Sequence, residues 1–335
     1  MLSSKRIYFS KLLCFYTGLL FFSLLTGCTQ EPEKKKTVKT QSKETSVYVK
    51  ASPEFNADTA YSFVQKQVDF GPRVVSSAAH IACGDWIVKS FKKYAHTVIE
   101  QKGSMMNWDK RQIPIRNIIA SFNPKHTKRI LITAHWDSRP YADNDPVVAN
   151  HRQAVTAADD GASGVAVMLE MARVLAQKMP DVGVDFICFD AEDLGKTAYD
   201  DSYCLGSQYW GRNLHQAGYK ADFAINLDMV GGRGAKFVWE GYSIQQAEPV
   251  LRRVWDHAIQ LGYSGYFFYF RSGAITDDHK YIFDYTSIPA IDIICFNQET
   301  GFPSWWHTIH DTMENIDRNT LKAVGQTVLE TIFKY

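Results

Sequence analysis

The most constraining feature of this chain is a set of short apolar runs that each stop on a histidine or an acid. Arg129–Ala134 runs into His135-Trp136-Asp137, Val184–Phe189 into Asp190-Ala191-Glu192-Asp193, and Phe223–Leu227 into Asp228. Arg116–Phe122 and Ala290–Cys295 are further apolar runs of strand length. Around them, Asn56–Val68, Ser77–Tyr94, Gly164–Gln177, Ser207–Ala217, Ala247–Leu261 and Leu321–Phe333 space their apolar residues near the helical period. Strands alternating with helices predict an α/β fold with a largely parallel sheet covered on both faces. In such sheets, sites form beyond the carboxyl ends of the strands. The three polar run ends therefore predict one crevice lined by histidine and carboxylates.

The chain has 335 residues and is 45% hydrophobic, enough for one large core or two small ones. No internal repeat is visible, and a single domain over residues 51–335 is the economical reading. Residues 1–27 are set apart. Lys5, Arg6 and Lys11 precede or open the apolar run Leu12–Leu25, which is too short for a comfortable membrane span. The run ends in Leu25-Thr26-Gly27-Cys28, which resembles a bacterial lipobox. The expectation is a lipoprotein signal peptide over 1–27 and lipidation of Cys28. The protein would then be exported to the periplasm and touch a membrane only through its lipid. Thr29 in place of an Asp favours the outer membrane. Residues 28–50 are polar and Lys-rich and predict a disordered tether.

A net charge of +1 gives no electrostatic case for nucleic acid. Beyond the signal, Cys83, Cys188, Cys204 and Cys295 form no CxxC pair, which argues against a thiolate zinc site. Cys188 and Cys295 lie in apolar strand-like runs and are expected to be buried, inert thiols.

Other segments add polar groups. Asp159-Asp160 precede small residues that open a helix, where an acid can cap the helix or aim inward. Bunching Asp190, Glu192 and Asp193 costs free energy unless a cation offsets it. Trp305-Trp306-His307-Thr308-Ile309-His310-Asp311 sets two histidines among aromatics. Together His135, Asp160, Glu192, Asp193, Asp228 and His307 make a Cys-free ligand set that fits catalytic zinc. A spare carboxylate beside a ligand carboxylate suits proton shuttling.

The string HWDS…TAADDGASGVA…FDAEDLG…NLDMVG…HT resembles the zinc aminopeptidase superfamily, family M28, over about Phe70 to Tyr335. The resemblance implies a central mixed, mostly parallel β-sheet flanked by helices on both faces. It implies Asp160 as the bridging carboxylate, with Asp159 as the alternative, Glu192 as general base, and Asp193 and His307 as metal ligands. His135 and Asp228 match the ligands of a second metal in two-zinc peptidases.

The superfamily holds two chemistries. One is di-zinc hydrolysis of N-terminal residues; the other is the animal-type glutaminyl-peptide cyclotransferase branch, which closes N-terminal glutamine to pyroglutamate. FGPRVVSSAAH, Phe302-Pro303-Ser304-Trp305-Trp306-His307-Thr308 and Asp277-Asp278-His279 followed by Ile288-Pro289 are similar to the cyclase branch. That branch implies one zinc on Asp160, Asp193 and His307, with Glu192 moving the proton. Asp228 would hold the substrate amine, Asp277 would support it, and Trp306 and Phe302 would wall the pocket. Peptides or proteins beginning with glutamine are the expected substrates, and a monomer the expected state.

Overall fold

The computed structural model describes residues 48–335 apart from residues 200 and 298. The expected signal peptide, Cys28 and nearly all of the tether lie outside the described residues. Eight strands follow in chain order: β1 (Thr97–Met106), β2 (Gln112–Phe122), β3 (Arg129–His135), β4 (Gly183–Phe189), β5 (Phe223–Asp228), β6 (Phe237–Trp239), β7 (Phe267–Arg271) and β8 (Ala290–Ile294). Six of them form one sheet in the order β1-β2-β4-β3-β5-β8, while β6 and β7 pair separately. Strands β4, β3, β5 and β8 are parallel; β1 and β2 are antiparallel at one edge. The sheet is thus mixed and mostly parallel.

Among the described residues the α-helices are α1 (Ala57–Val68), α2 (Ala78–Phe91), α3 (Ala162–Gln177), α4 (Leu205–Arg212), α5 (Gly241–Gln260), α6 (Asp278–Thr286) and α7 (Arg318–Phe333). Strand alternation decides which helices cover which face. Ile130, Ile132 and Ala134 of β3, with Val184, Phe186 and Cys188 of β4, point to one side. There they pack with Val64, Ile87, Val165, Leu251 and Val324 of α1, α2, α3, α5 and α7. Leu131, Ile187 and Phe189 point to the other side, against Trp210 of α4 and Ile282 of α6. Every residue of β3 and β4 is buried. Each large apolar side chain buried there contributes about 1.5–3 kcal/mol.

Several boundaries differ from the sequence expectation. Helix α4 spans Leu205–Arg212 rather than Ser207–Ala217, because Asn213 leaves the helical region (φ −136°, ψ 63°). Helix α5 starts at Gly241, not Ala247. Ala247 is its kink (φ −152°, ψ 36°), two residues before Pro249, whose ring cannot sit in a straight helix interior. Strand β1 and helix α6 form where no element is expected. Strand β1 is an edge strand with exposure alternating along most of its length, so it lacks an apolar run. All four remaining cysteines are buried free thiols, which includes the expected Cys188 and Cys295. Among the described residues no helix is long and apolar enough to cross a membrane.

Candidate metal centre and active site

Strands β3, β4 and β5 end side by side and deliver His135, the Asp190–Asp193 turn and Asp228 to one crevice. The chain leaves these strands under constraint. Ala191 (φ 55°), Met229 (φ 48°) and His307 (φ 55°) all take the left-handed conformation that non-glycine residues disfavour. Carboxylates from neighbouring loops fasten the turns. Asp137 accepts the N–H groups of Glu192 (3.0 Å) and Asp193 (3.2 Å). Asp311 does the same for Asp159 (2.8 Å) and Asp160 (3.0 Å). Gly161, which follows Asp160, has φ 99°, and a Cβ there would meet Asp137 O at 2.7 Å and His135 Cε1 at 2.9 Å. No side chain fits at that turn.

Two groups of potential ligands share Asp160. In the first, His307 Nε2 lies 3.2 Å from Asp193 Oδ1 and 3.7 Å from Asp160 Oδ2. In the second, His135 Nε2 lies 3.0 Å from Asp160 Oδ1 and 3.3 Å from Asp228 Oδ1. Within each group the ligating atoms fall within 4.8 Å of one another. Asp160 Oδ2 and Asp193 Oδ2 are buried with no hydrogen-bond partner among the described residues. Such atoms cost free energy unless something electropositive meets them. Two carboxylates and an imidazole form the donor set of an open zinc site. The first group therefore fits the metal. Asp159 does not compete for it, since its carboxylate already accepts Gly231 N (2.8 Å) and Trp305 Nε1 (3.2 Å). Asp190 is likewise engaged, by His80 Nε2 and Arg116 N, each at 2.8 Å.

Glu192 stands outside both groups, within 4.8 Å of Cys204 and Asp277. Asp277 caps α6 through Asp278 N and accepts Asn226 Nδ2 at 2.9 Å. Burial pushes the Glu192 carboxyl well up; His135 opposes this, and Asp193, Asp277 and Asp278 reinforce it. Burial also pushes Asp228 up to about 8 against the pull of its His135 hydrogen bond. For His135, burial works against the proton, but the nearby carboxylates of Asp137 (3.5 Å), Asp160 (3.0 Å) and Asp228 (3.3 Å) hold its pKa well above the usual imidazole range.

The cleft over these groups is about 390 Å³ and is lined by Asp160, Glu192, Asp193, Asp228, Asp277 and His307, with Ile275, Phe302 and Trp306 among its apolar walls. Trp306 stacks on His307 (3.9 Å between centroids) and tilts against Phe302 (4.3 Å). Asp160, Glu192, Asp193, Asp228, Asp277, Phe302, Trp306 and His307 thus line one cleft, while His135 is not among its lining residues and meets it through Asp160 and Asp228.

Sequence reasoning missed the supporting layer. Asp137 and Asp311 sit inside the motif strings, close in sequence to His135 and His310, and that proximity was the available signal. Arg139 had none. Its guanidinium reaches Asp193 Oδ1 (3.2 Å) and O (2.9 Å) and pairs with Asp143, whose Oδ1 is 3.5 Å from His307 Nδ1.

The chain matches the description Peptidase family M28 over residues 117–332. It is 49% identical to a Zn-dependent exopeptidase from Parabacteroides distasonis, with a TM-score of 0.83, covering 85% of this chain and 100% of that one. It is 47% identical to the glutaminyl cyclase of Bacteroides thetaiotaomicron bound to N-acetylhistamine, also with a TM-score of 0.83, covering 85% and 99%. The glutaminyl-peptide cyclotransferase of Bos taurus is 26% identical over 251 residues, covering 65% of this chain and 66% of that one. Across the first curated relatives the match takes in between 44% and 66% of their own length. The family match runs from β2 into α7 and takes in every metal-ligand candidate, so the chain belongs to peptidase family M28.

Proposed function

We propose that residues 51–335 form one catalytic domain that cyclises N-terminal glutaminyl residues of peptides or proteins to pyroglutamate, releasing ammonia. One zinc per chain is held by Asp160, Asp193 and His307. The observation that carries this reading is the trio Glu192, Asp228 and Asp277. All three carboxylates face the cleft, and none belongs to the Asp160, Asp193 and His307 group. A hydrolase needs one base for its water. In a di-zinc aminopeptidase Asp228 would be taken up as a ligand, whereas with one zinc on Asp160, Asp193 and His307 it is left to hold the α-amine while Glu192 takes the proton. The 47% identity to a glutaminyl cyclase supports the same reading.

In the reaction the substrate's α-amine nitrogen attacks its own γ-amide carbon. A new C–N bond forms and the bond to the amide nitrogen breaks. Asp228 holds the amine by a charge-assisted hydrogen bond, supported by Asp277. Glu192 accepts a proton from the amine and delivers it to the departing nitrogen; burial raises its proton affinity toward the working pH. Trp306 and Phe302 wall the glutamine side chain and fold it back toward the amine. Zinc, when bound, supplies Lewis-acid polarisation of the γ-carbonyl.

The test is a glutamine-initiated peptide followed by mass spectrometry. Loss of one ammonia is expected; release of free glutamine would instead establish a peptidase. The group of His135, Asp160 and Asp228 favours a second reading, a di-zinc aminopeptidase. Two zinc ions per chain together with stepwise removal of N-terminal residues would establish it. We place the enzyme as a monomer on the periplasmic side, anchored through Cys28, with the outer membrane as its site. The Leu-Thr-Gly-Cys string supports the anchoring, and Cys28→Ala should move the protein from the membrane to the soluble fraction.

A further inference from the structure

The Glu192 carboxylate is surrounded by acids, so its orientation cannot come from repulsion alone. Among the described residues it accepts one hydrogen bond, from Cys204 Sγ at 3.2 Å. The thiol is held in place by backbone as well as by packing. Cys204 N donates to Glu192 O (2.8 Å) and Leu205 N to Ala191 O (3.1 Å), so the start of α4 is pinned to the turn that carries Glu192. Cys204 is fully buried and takes the left-handed conformation (φ 57°), which sets the direction of its Cα–Cβ bond.

We infer that Cys204 is a positioning residue for Glu192, its thiol donating to Oε1 and leaving the second oxygen for the substrate. The chemistry of the donor suits the task. A cation at this place would stabilise the carboxylate and weaken it as a base. A thiol is a neutral, weak donor and orients the carboxylate while costing little basicity. Burial first, then Glu192, Asp278 and Asp277, push the thiol pKa well up, so the sulfur stays protonated and able to donate. The buried thiol is thus neither a nucleophile nor a disulfide partner; it sets the direction of the base. The inference rests on Glu192 being the base, an assignment that cyclisation and hydrolysis share.

The experiment compares Cys204→Ala with Cys204→Ser, using whichever N-terminal reaction the wild type catalyses. Neither substitution adds strain at a left-handed position beyond that of Cys. In Cys204→Ala, kcat should fall by roughly tenfold, the scale of one hydrogen bond to a charged group, with KM and zinc content unchanged. Cys204→Ser restores a donor and should recover most of the loss. Wild-type kcat in Cys204→Ala, or equal losses in Ala and Ser, would overturn the inference. An infrared difference spectrum supplies a readout independent of turnover. The S–H stretch that disappears in Cys204→Ala should move to higher frequency in Glu192→Gln, and an unmoved band counts against the bond. A wild type that releases free glutamine would overturn the cyclase reading and leave this comparison intact.

Discussion

The two ends of the central strands make opposite use of buried charge. At the amino end, Arg129 opens β3 and meets Asp185 of β4 through two bonds of 2.7 Å, and Tyr219 donates to the same carboxylate at 2.7 Å. The remaining guanidinium hydrogens reach the carbonyls of Phe122, Asn123 and His126. No side-chain polar atom of Arg129, Asp185 or Tyr219 is among the buried atoms without a partner. At the carboxyl end, His135 Nδ1 on β3, Asp193 Oδ2 in the turn after β4 and Asp160 Oδ2 ahead of α3 have none among the described residues. One end is electrostatically closed and serves stability. The other is left incomplete, and its incompleteness is what suits it to a cation and a substrate amine.

The sharpest way to break this comparison is Glu192→Gln. Turnover should fall by roughly 10²–10⁴-fold while zinc, measured by elemental analysis, stays bound. Near-wild-type activity would remove Glu192 from the mechanism. At the closed end, Asp185→Ala leaves a buried Arg129 without its partner and should cost about 3–5 kcal/mol in urea unfolding. Activity per folded molecule should be unchanged.

A polar cluster on α7 extends the closed pattern. Glu330 accepts Ser52 Oγ (2.6 Å), Tyr48 OH (2.7 Å) and the N–H groups of Ala51 and Ser52 (both 2.9 Å). Burial pushes its carboxyl up, but these bonds win and hold it at about 2, below the ordinary 4.5. A depressed carboxyl contributes stability that is present above 4.5 and lost as pH falls toward 2. Glu330→Gln should lower stability at neutral pH by about 1–3 kcal/mol and flatten its acid dependence. An unchanged acid slope in thermal melts would contradict this. The smallest effect has the opposite sign. In metal-free protein, Asp160→Asn should stabilise by about 1 kcal/mol, because it removes a like charge beside Asp159, Asp228 and Asp311 that, among the described residues, no guanidinium or ammonium pairs with. The same change should abolish zinc binding. Destabilisation of the metal-free form would show that the site end is closed after all.

Much of this was legible in the sequence, for reasons that can be named. Strands β2 to β5 and β8 announce themselves because both of their faces are buried over much of their length, which writes an apolar run. Asp160, Glu192, Asp193, Asp228 and His307 were visible because polar residues at the ends of such runs need a reason. Strand β1 was not visible, since an edge strand exposes its pleat. The first half of α5 was hidden by the break at Ala247 and Pro249. Arg139 and Cys204 were invisible for another reason: each reaches the site from a loop or a helix start, and no spacing rule links them to Asp193 or Glu192. The resemblance puts Asp160 ahead of Asp159, and the bonds of Asp159 to Gly231 and Trp305 supply the physical reason.

The two clamping carboxylates have a consequence for transplantation. Asp137 leaves β3 but fixes the turn after β4, and Asp311 sits ahead of α7 but fixes the turn before α3. No loop of the site is shaped by its own sequence alone. A segment carrying Glu192 and Asp193, moved to another scaffold, would arrive without the carboxylate that holds it. The catalytic constellation is therefore inherited as a block: loops elsewhere can vary singly, while these must change together or not at all.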